Sequence, residues 1–177
     1  MLGNLKVSRG TAKGKNLHIP DKSGTRPTTN KIRQAIINVI QFELEGARVL
    51  DLFAGSGAVG IEMLSAGAKS CDFVDNKTSN ILKQNLALTG LNAEVFNLDY
   101  KKFLTLYAKE YDIIFLDPPY EGCHLEKALA LIIEKDIAKN HIICETTNAE
   151  LKHGLYERDR KKYGDKYVYF LTKEKEQ

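Results

Sequence analysis

Asp117-Pro118-Pro119-Tyr120 follows the apolar run Tyr111-Asp112-Ile113-Ile114-Phe115-Leu116, which brings a carboxylate, a rigid turn and an aromatic face together at the end of an expected buried strand. In open α/β sheets ligands bind outside the carboxyl ends of the strands. Two successive prolines hold the chain extended there and leave carbonyls without an internal donor. Asp117 and the Pro118 carbonyl could then accept both hydrogens of an exocyclic NH2 group, while Tyr120 offers a π face to a flat base. The chemistry this suits is modification of an amine. The alternative is a plain strand-ending turn, because Pro-Pro is a common breaker.

A second constellation lies upstream. Asp51-Leu52-Phe53-Ala54-Gly55-Ser56-Gly57-Ala58-Val59-Gly60 reads as strand, glycine turn and helix start, with Gly55, Gly57 and Gly60 in GxGxxG spacing. That motif alone is weak. A dinucleotide reading needs an acid about twenty residues on for the ribose, and Asp75 stands there. S-adenosylmethionine offers ribose hydroxyls without a pyrophosphate, and its loop is typically preceded by an acid on the strand, which Asp51 supplies. Asp99, after the third strand, could accept from an adenine 6-amino group. Asp75 and Asp99 also each precede an expected helix, so N-capping is the competing role for both.

The elements that position these residues follow from periodicity. Asn4–Arg9 and Lys15–Ile19 alternate apolar and polar residues around Gly10 and Gly14 and predict a small hairpin. Thr25–Thr29 then supplies capping hydroxyls for a helix whose Ile32, Ala35, Ile36, Val39 and Ile40 share one face, with Lys31 and Arg33 projecting where helix N–H groups favour a phosphate. From Arg48 short apolar runs alternate with helical stretches. Strands are expected at 49–53, 72–75, 94–97, 113–116 and 141–145, and helices at 58–66, 77–88, 100–108 and 125–134, the rhythm of a parallel sheet with crossover helices. Two β-rich runs, 154–163 and 166–172, flank Gly164-Asp165 as a hairpin.

At 177 residues and 43% hydrophobic content the chain suits one cored domain. It has no apolar stretch of membrane-spanning length and no secretory leader, so a cytoplasmic protein is expected. Cys71, Cys123 and Cys144 lack CxxC spacing and are read as reduced, and the four histidines are scattered without metal-ligand spacing. No metal is expected, and no serine or cysteine occupies a nucleophile elbow. Charge is uneven: residues 1–33 carry a net +7 and residues 34–177 a net −4. A basic arm on a mildly acidic body points to a nucleic-acid footprint, against the alternative of a solvated charged face.

DLFAGSGAVGIE followed by DPPY resembles class I S-adenosylmethionine-dependent methyltransferases that act on exocyclic amines. Arg9-Gly10, Lys13-Gly14-Lys15 and Arg26-Pro27-Thr28-Thr29-Asn30-Lys31-Ile32-Arg33 narrow the likeness, over nearly the whole chain, to the bacterial 16S ribosomal RNA guanine-N2 methyltransferases of the small-subunit methyltransferase D type. The resemblance implies a Rossmann-like, mostly parallel seven-stranded sheet with helices on both faces, an antiparallel last strand, and a hairpin and helix ahead of it. It divides the chain into a basic RNA-binding segment, 1–45, and a methyltransferase domain, 46–177. By position, Asp51, Phe53, Ala54, Gly55, Ser56 and Gly57 would hold the methionine part of S-adenosylmethionine. Asp75 would hold the ribose, with Asp72 as its alternative, Asp99 the adenine, and Asp117, Pro118, Pro119 and Tyr120 the guanine. Arg9, Lys13, Lys15, Arg26, Thr28, Lys31 and Arg33 would contact RNA. The implied partner is 16S ribosomal RNA or a small-subunit precursor, the implied state a monomer.

On that reading the target base is splayed out of the RNA onto Tyr120, whose ring face rather than hydroxyl does the holding. The basic arm through residue 24 is expected to be removable without loss of the fold. The same tetrad also suits adenine-N6 or protein-glutamine methylation. From other classes, a nicotinamide-dependent oxidoreductase and a non-catalytic RNA-binding module compete.

Overall fold

The computed structural model of the protein describes residues 5–20 and 29–173. Leu5–Lys6 (β1) and Asn16–Leu17 (β2) pair antiparallel, Leu5 opposite Leu17, and the helix α1 follows over Asn30–Ile40. Thr29 caps α1, its hydroxyl accepting from the Ile32 N–H at 3.3 Å. The chain then alternates β3 (Arg48–Leu52), α2 (Ala58–Ser65), β4 (Ser70–Val74), α3 (Ser79–Thr89), β5 (Glu94–Phe96), α4 (Tyr100–Leu106), β6 (Tyr111–Leu116), α5 (His124–Glu134) and β7 (Ala138–Thr146), before the hairpin β8 (Tyr156–Tyr163) and β9 (Lys166–Thr172).

These strands form a seven-stranded sheet in the order β5-β4-β3-β6-β7-β9-β8. β3 through β7 are mutually parallel and β9 inserts antiparallel between β7 and β8. Strand alternation sends side chains to opposite faces, and each face buries its own apolar cluster. Val49, Phe73, Phe115, Ile143 and Val168 pack against α1, α2 and α3, whereas Leu50, Leu52, Ile114, Leu116 and Cys144 pack against α4 and α5. Strand order reverses at β3, whose neighbours β4 and β6 lie to either side, so a crevice opens above its carboxyl end.

The N-terminal segment shares the first of these cores. Leu5, Val7, Ala12, Leu17, Ile32, Ile36, Ile37 and Ile40 are buried with the residues of α2 and β4, so among the described residues 1–45 has no separate core. Hydrogen bonds to one serine seal the junction: Thr11 N–H donates to Ser65 O at 2.9 Å and Ala12 N–H to Ser65 Oγ at 2.9 Å. A Cβ at Gly10, where φ is +78°, would sit 1.5 Å from the Ser65 carbonyl oxygen, so only glycine allows this approach. The buried face of α1 is Ile32, Arg33, Ile36, Ile37 and Ile40, rotated slightly from the stripe read in the sequence: Ala35 and Val39 are half-buried, and Arg33 is inside.

Arg33 is the clearest correction. It was expected to project toward a phosphate, yet it is 1% exposed. Its Nη2 donates to Lys6 O and Asn30 Oδ1, each at 2.8 Å, and its Nε lies 3.8 Å from Glu62 Oε2. Burial works against the guanidinium charge, and Glu62 partly restores it. Glu62 itself is fully buried and also accepts from the Ser8 and Arg9 N–H groups and the Ser8 hydroxyl. Cutting the chain at residue 24 would strip these donors from a buried carboxylate, so the arm is part of the fold and not a removable extension.

Candidate active site

Phe53–Gly57 follows β3 at the crevice and is tied to β4. Phe53 and Ala54 N–H groups both donate to Val74 O at 3.0 Å, and Gly57 N–H closes the turn onto Ala54 O at 2.7 Å. Gly55 (φ +57°) leaves open space where its Cβ would be, whereas a Cβ on Gly57 would fall 2.0 Å from Leu82 Cδ1 and one on Gly60 2.4 Å from the Phe73 ring. The glycine pattern therefore has two causes: Gly55 frees the surface of the loop, and Gly57 and Gly60 let α2 pack onto α3 and β4. Phe53 itself has φ +73°, a strained conformation for a bulky side chain, held by packing of its ring on Tyr100 at 4.8 Å between centroids.

Asp51 lies beneath this loop, 1% exposed. Its Oδ2 accepts from Gly60 N–H at 3.0 Å, and its buried Oδ1 has no partner among the described residues. Burial pushes its carboxyl up to about 7, with the Gly60 bond opposing and the charge of Asp75 adding to the rise. A buried oxygen lacking a donor beside an open glycine turn fits a ligand that brings an N–H or a positive charge, such as the amino acid part of S-adenosylmethionine.

Asp75 pins the loop from the next strand. Its Oδ2 accepts from Gly55 N–H at 3.0 Å, and its Oδ1 from Lys77 and Thr78 N–H at 2.7 and 2.8 Å, while the Thr78 hydroxyl donates to Gly55 O. The formal cap of α3 is Thr78, so Asp75 secures the turn ahead of the helix. Asp72, the alternative ribose ligand, is engaged elsewhere: it sits within β4, bound to the Tyr111 hydroxyl at 2.7 Å and to Lys109 Nζ at 2.9 Å. Asp99 is exposed at the end of β5 and caps α4 through Lys101 N–H at 2.9 Å, so the capping role is real and leaves its second oxygen for another donor. Ser56 is buried, its carbonyl accepting from Asn85 Nδ2 at 2.8 Å.

Across the crevice β6 ends at Asp117. Leu116 pairs with Leu52 of β3 and Cys144 of β7, so Asp117 stands beside the glycine loop on one side and Glu145 on the other. Pro118 is buried, Pro119 exposed, and Tyr120 48% exposed, which holds the turn in place and leaves a ring face to solvent. Two residues that sequence reading passed over complete this wall. Glu145, fully buried, and Lys166, at the start of β9, form an ion pair directly beside Tyr120. Their signal was a charged residue near the end of one apolar strand and at the start of another.

Of the residues expected to meet RNA, Lys13, Lys15 and Lys31 are exposed, and Arg9 is half-buried with its Nη2 on Asn38 Oδ1 at 2.6 Å. Arg26 and Thr28 lie outside the described residues. Asn85, another side chain without an expected role, ties the arm to the glycine loop: it accepts from His18 N–H at 2.7 Å and donates to His18 O and Ser56 O.

A doubly wound sheet with an acid-glycine loop on its central strand and an aspartate-proline-proline-tyrosine turn on the next defines the class I methyltransferase fold. The comparisons agree. A solved Escherichia coli structure described as the methyltransferase yhhF superposes with a TM-score of 0.84 at 29% identity, covering 98% of this chain and 100% of that one. The chain belongs to the family described as Conserved hypothetical protein 95, which matches residues 5–172. It is 42% identical over 137 residues to a Bacillus subtilis protein named as an rRNA methyltransferase, YlbH, covering 73% of this chain and 74% of that one. It is 36% identical over 133 residues to ribosomal RNA small subunit methyltransferase D of Escherichia coli K12, covering 73% and 67%.

Proposed function

We propose that the protein transfers a methyl group from S-adenosylmethionine to the exocyclic 2-amino group of a guanine in 16S ribosomal RNA, on the free RNA or a small-subunit precursor. The observation that carries this reading is the juxtaposition of Asp117, at the end of β6, with the glycine loop at the end of β3, one strand away. When bound, the cofactor supplies an electrophilic methyl group. Asp51 and the Phe53–Gly57 loop hold its amino acid part, Asp75 its ribose and Asp99 its adenine.

A guanine 2-amino nitrogen is a poor nucleophile because its lone pair is delocalised into the ring. Asp117 and the Pro118 carbonyl accept from its two hydrogens, which localises the pair and aims it along the methyl transfer axis. Tyr120 stacks the base. The nitrogen would gain the methyl carbon as the bond from that carbon to the cofactor sulfur breaks, the sulfur keeping the electron pair, and the nitrogen's surplus proton would pass to solvent water. Positioning and electrostatics supply most of the acceleration. Lys13, Lys15, Lys31 and Arg9 contact phosphates from residues 1–45, which act as the RNA-binding part of one folded unit with 46–177.

The test is transfer of labelled methyl from S-adenosylmethionine to small ribosomal subunits and 16S RNA lacking the modification, followed by mapping of the labelled nucleotide. Label on a guanine N2 is the expected result. Label on adenine N6 or on protein glutamine would refute the guanine assignment, and no transfer to any of these would refute the reaction.

A further inference from the structure

Continuing the sheet register one residue past Leu116 and Cys144 sets Asp117 level with Glu145, and Lys166 begins the strand that pairs with β7. Alternation turns Asp117, Glu145 and Lys166 to the face that also carries Phe115, Ile143 and Val168. Glu145 is fully buried, its Oε2 has no hydrogen-bond partner among the described residues, and its Oε1 accepts from Lys166 Nζ. A buried ion pair is a poor source of stability, since desolvation offsets most of its attraction. Its position suggests another use. Lys166 Nζ lies 5.7 Å from the Tyr120 ring centroid, close enough for its charge to act on the phenol. Burial opposes the ammonium charge, but the Glu145 carboxylate and the neighbouring Tyr120 phenol outweigh it and keep Lys166 charged.

Tyr120 needs such a tie. It is nearly half exposed, and the turn that carries it has Pro118 buried behind it. We infer that Lys166, anchored by Glu145, is a positioning residue for methyl transfer: it holds the Tyr120 hydroxyl so that the ring presents a fixed face to the target base beside Asp117. This rests on the amine-methylation reading above and changes one expectation drawn from the sequence, that the Tyr120 hydroxyl is idle.

A double-mutant cycle of Lys166→Met and Tyr120→Phe tests it. Each single change is expected to lower kcat by about ten- to a hundred-fold, the cost of a misplaced reacting group, with the Kd for S-adenosylmethionine within about two-fold. The double variant should be no worse than either single one, because both cut the same tie. Lys166→Arg should recover most of the loss. Should Lys166→Met fold poorly with Glu145 left unpaired, Glu145→Leu with Lys166→Met removes both charges and serves as the background instead. A Tyr120→Phe enzyme of full activity, or losses that multiply in the double variant, would overturn the inference. The tie is also read without substrate, by NMR of protein labelled with 13C at tyrosine Cζ. The Tyr120 resonance, assigned by its loss in Tyr120→Phe, should move in Lys166→Met, and an unmoved resonance overturns the tie. If the resonance moves and the wild-type protein transfers no methyl to any substrate, the reaction reading fails, and the assigned role fails with it.

Discussion

Replacing Asp75 by alanine separates two roles that its geometry combines. In the free protein its carboxylate already accepts from three backbone N–H groups, Gly55 at 3.0 Å, Lys77 at 2.7 Å and Thr78 at 2.8 Å. Hydrogen bonds to a charged group are each worth roughly 1.5–3 kcal/mol when well shielded. Here one is exposed and two are partly buried, so a total of about 2–4 kcal/mol is the reasonable loss. Urea unfolding of Asp75→Ala should therefore show a lower midpoint with an unchanged slope, because the same surface is exposed on unfolding. Calorimetry under folding conditions should show weaker S-adenosylmethionine binding as well, by at least the roughly 1.5–3 kcal/mol of a lost charged hydrogen bond, since the Gly55 turn is no longer anchored. A stability loss with cofactor affinity intact would reduce Asp75 to a turn-securing residue. Lost affinity with stability intact would mean that the three backbone bonds contribute nothing to the fold.

Arg33→Leu should destabilise the protein by about 3–5 kcal/mol, because it leaves Glu62 as an uncompensated buried charge; thermal or urea unfolding reads this, and an RNA-binding defect at full stability would contradict it. Changing Lys13, Lys15 and Lys31 together to alanine should flatten the log–log salt dependence of RNA binding by roughly 2–3 units and leave cofactor affinity alone; an unchanged slope would move the RNA footprint elsewhere. With the Asp51 carboxyl raised to about 7, its folded form holds a proton that the unfolded chain gives up near its ordinary value, so stability without cofactor should fall as pH rises between those limits. Binding of the cationic cofactor should strengthen as pH rises through 7, and Asp51→Asn should abolish that dependence in calorimetric titrations. Gly60→Ala should lower the unfolding midpoint, since its Cβ would meet the Phe73 ring at 2.4 Å and Cys71 Sγ at 2.8 Å.

The parallel core was legible because each strand is an apolar run bounded by helical periodicity. The run ending at Leu116 had to be buried on both faces, and both clusters claim it. The acidic strand ends and the proline turn were legible because their chemistry is carried by residue type and spacing. Arg33 was misread for a definite reason. An arginine at the start of a basic amphipathic helix has the local pattern of a phosphate contact, and only its partner 29 residues later, Glu62, makes it a core residue. Glu62 was equally opaque, sitting in a helix otherwise read for its glycine pattern. Lys166 and Glu145 are 21 residues apart on strands whose pairing depends on where β9 enters the sheet. Periodicity gives the strands but not that insertion.

The links between the arm and the body have a mechanical consequence. Several of the arm's polar ties end on elements that also build the cofactor loop: Ser8 and Arg9 on Glu62 of α2, and His18 on Asn85, which in turn holds the Ser56 carbonyl. α2 begins at Gly57 and α3 follows the turn that Asp75 secures. A force on the hairpin is therefore delivered to the Ser56–Gly57 end of the Phe53–Gly57 segment through partly buried and buried hydrogen bonds. In the proposed reaction, RNA pressing on Lys13 and Lys15 and cofactor seated on the glycine loop act on one hydrogen-bonded frame. The polar links of the arm thus serve the fold and the site together, so removal of its backbone is expected to cost both stability and cofactor affinity.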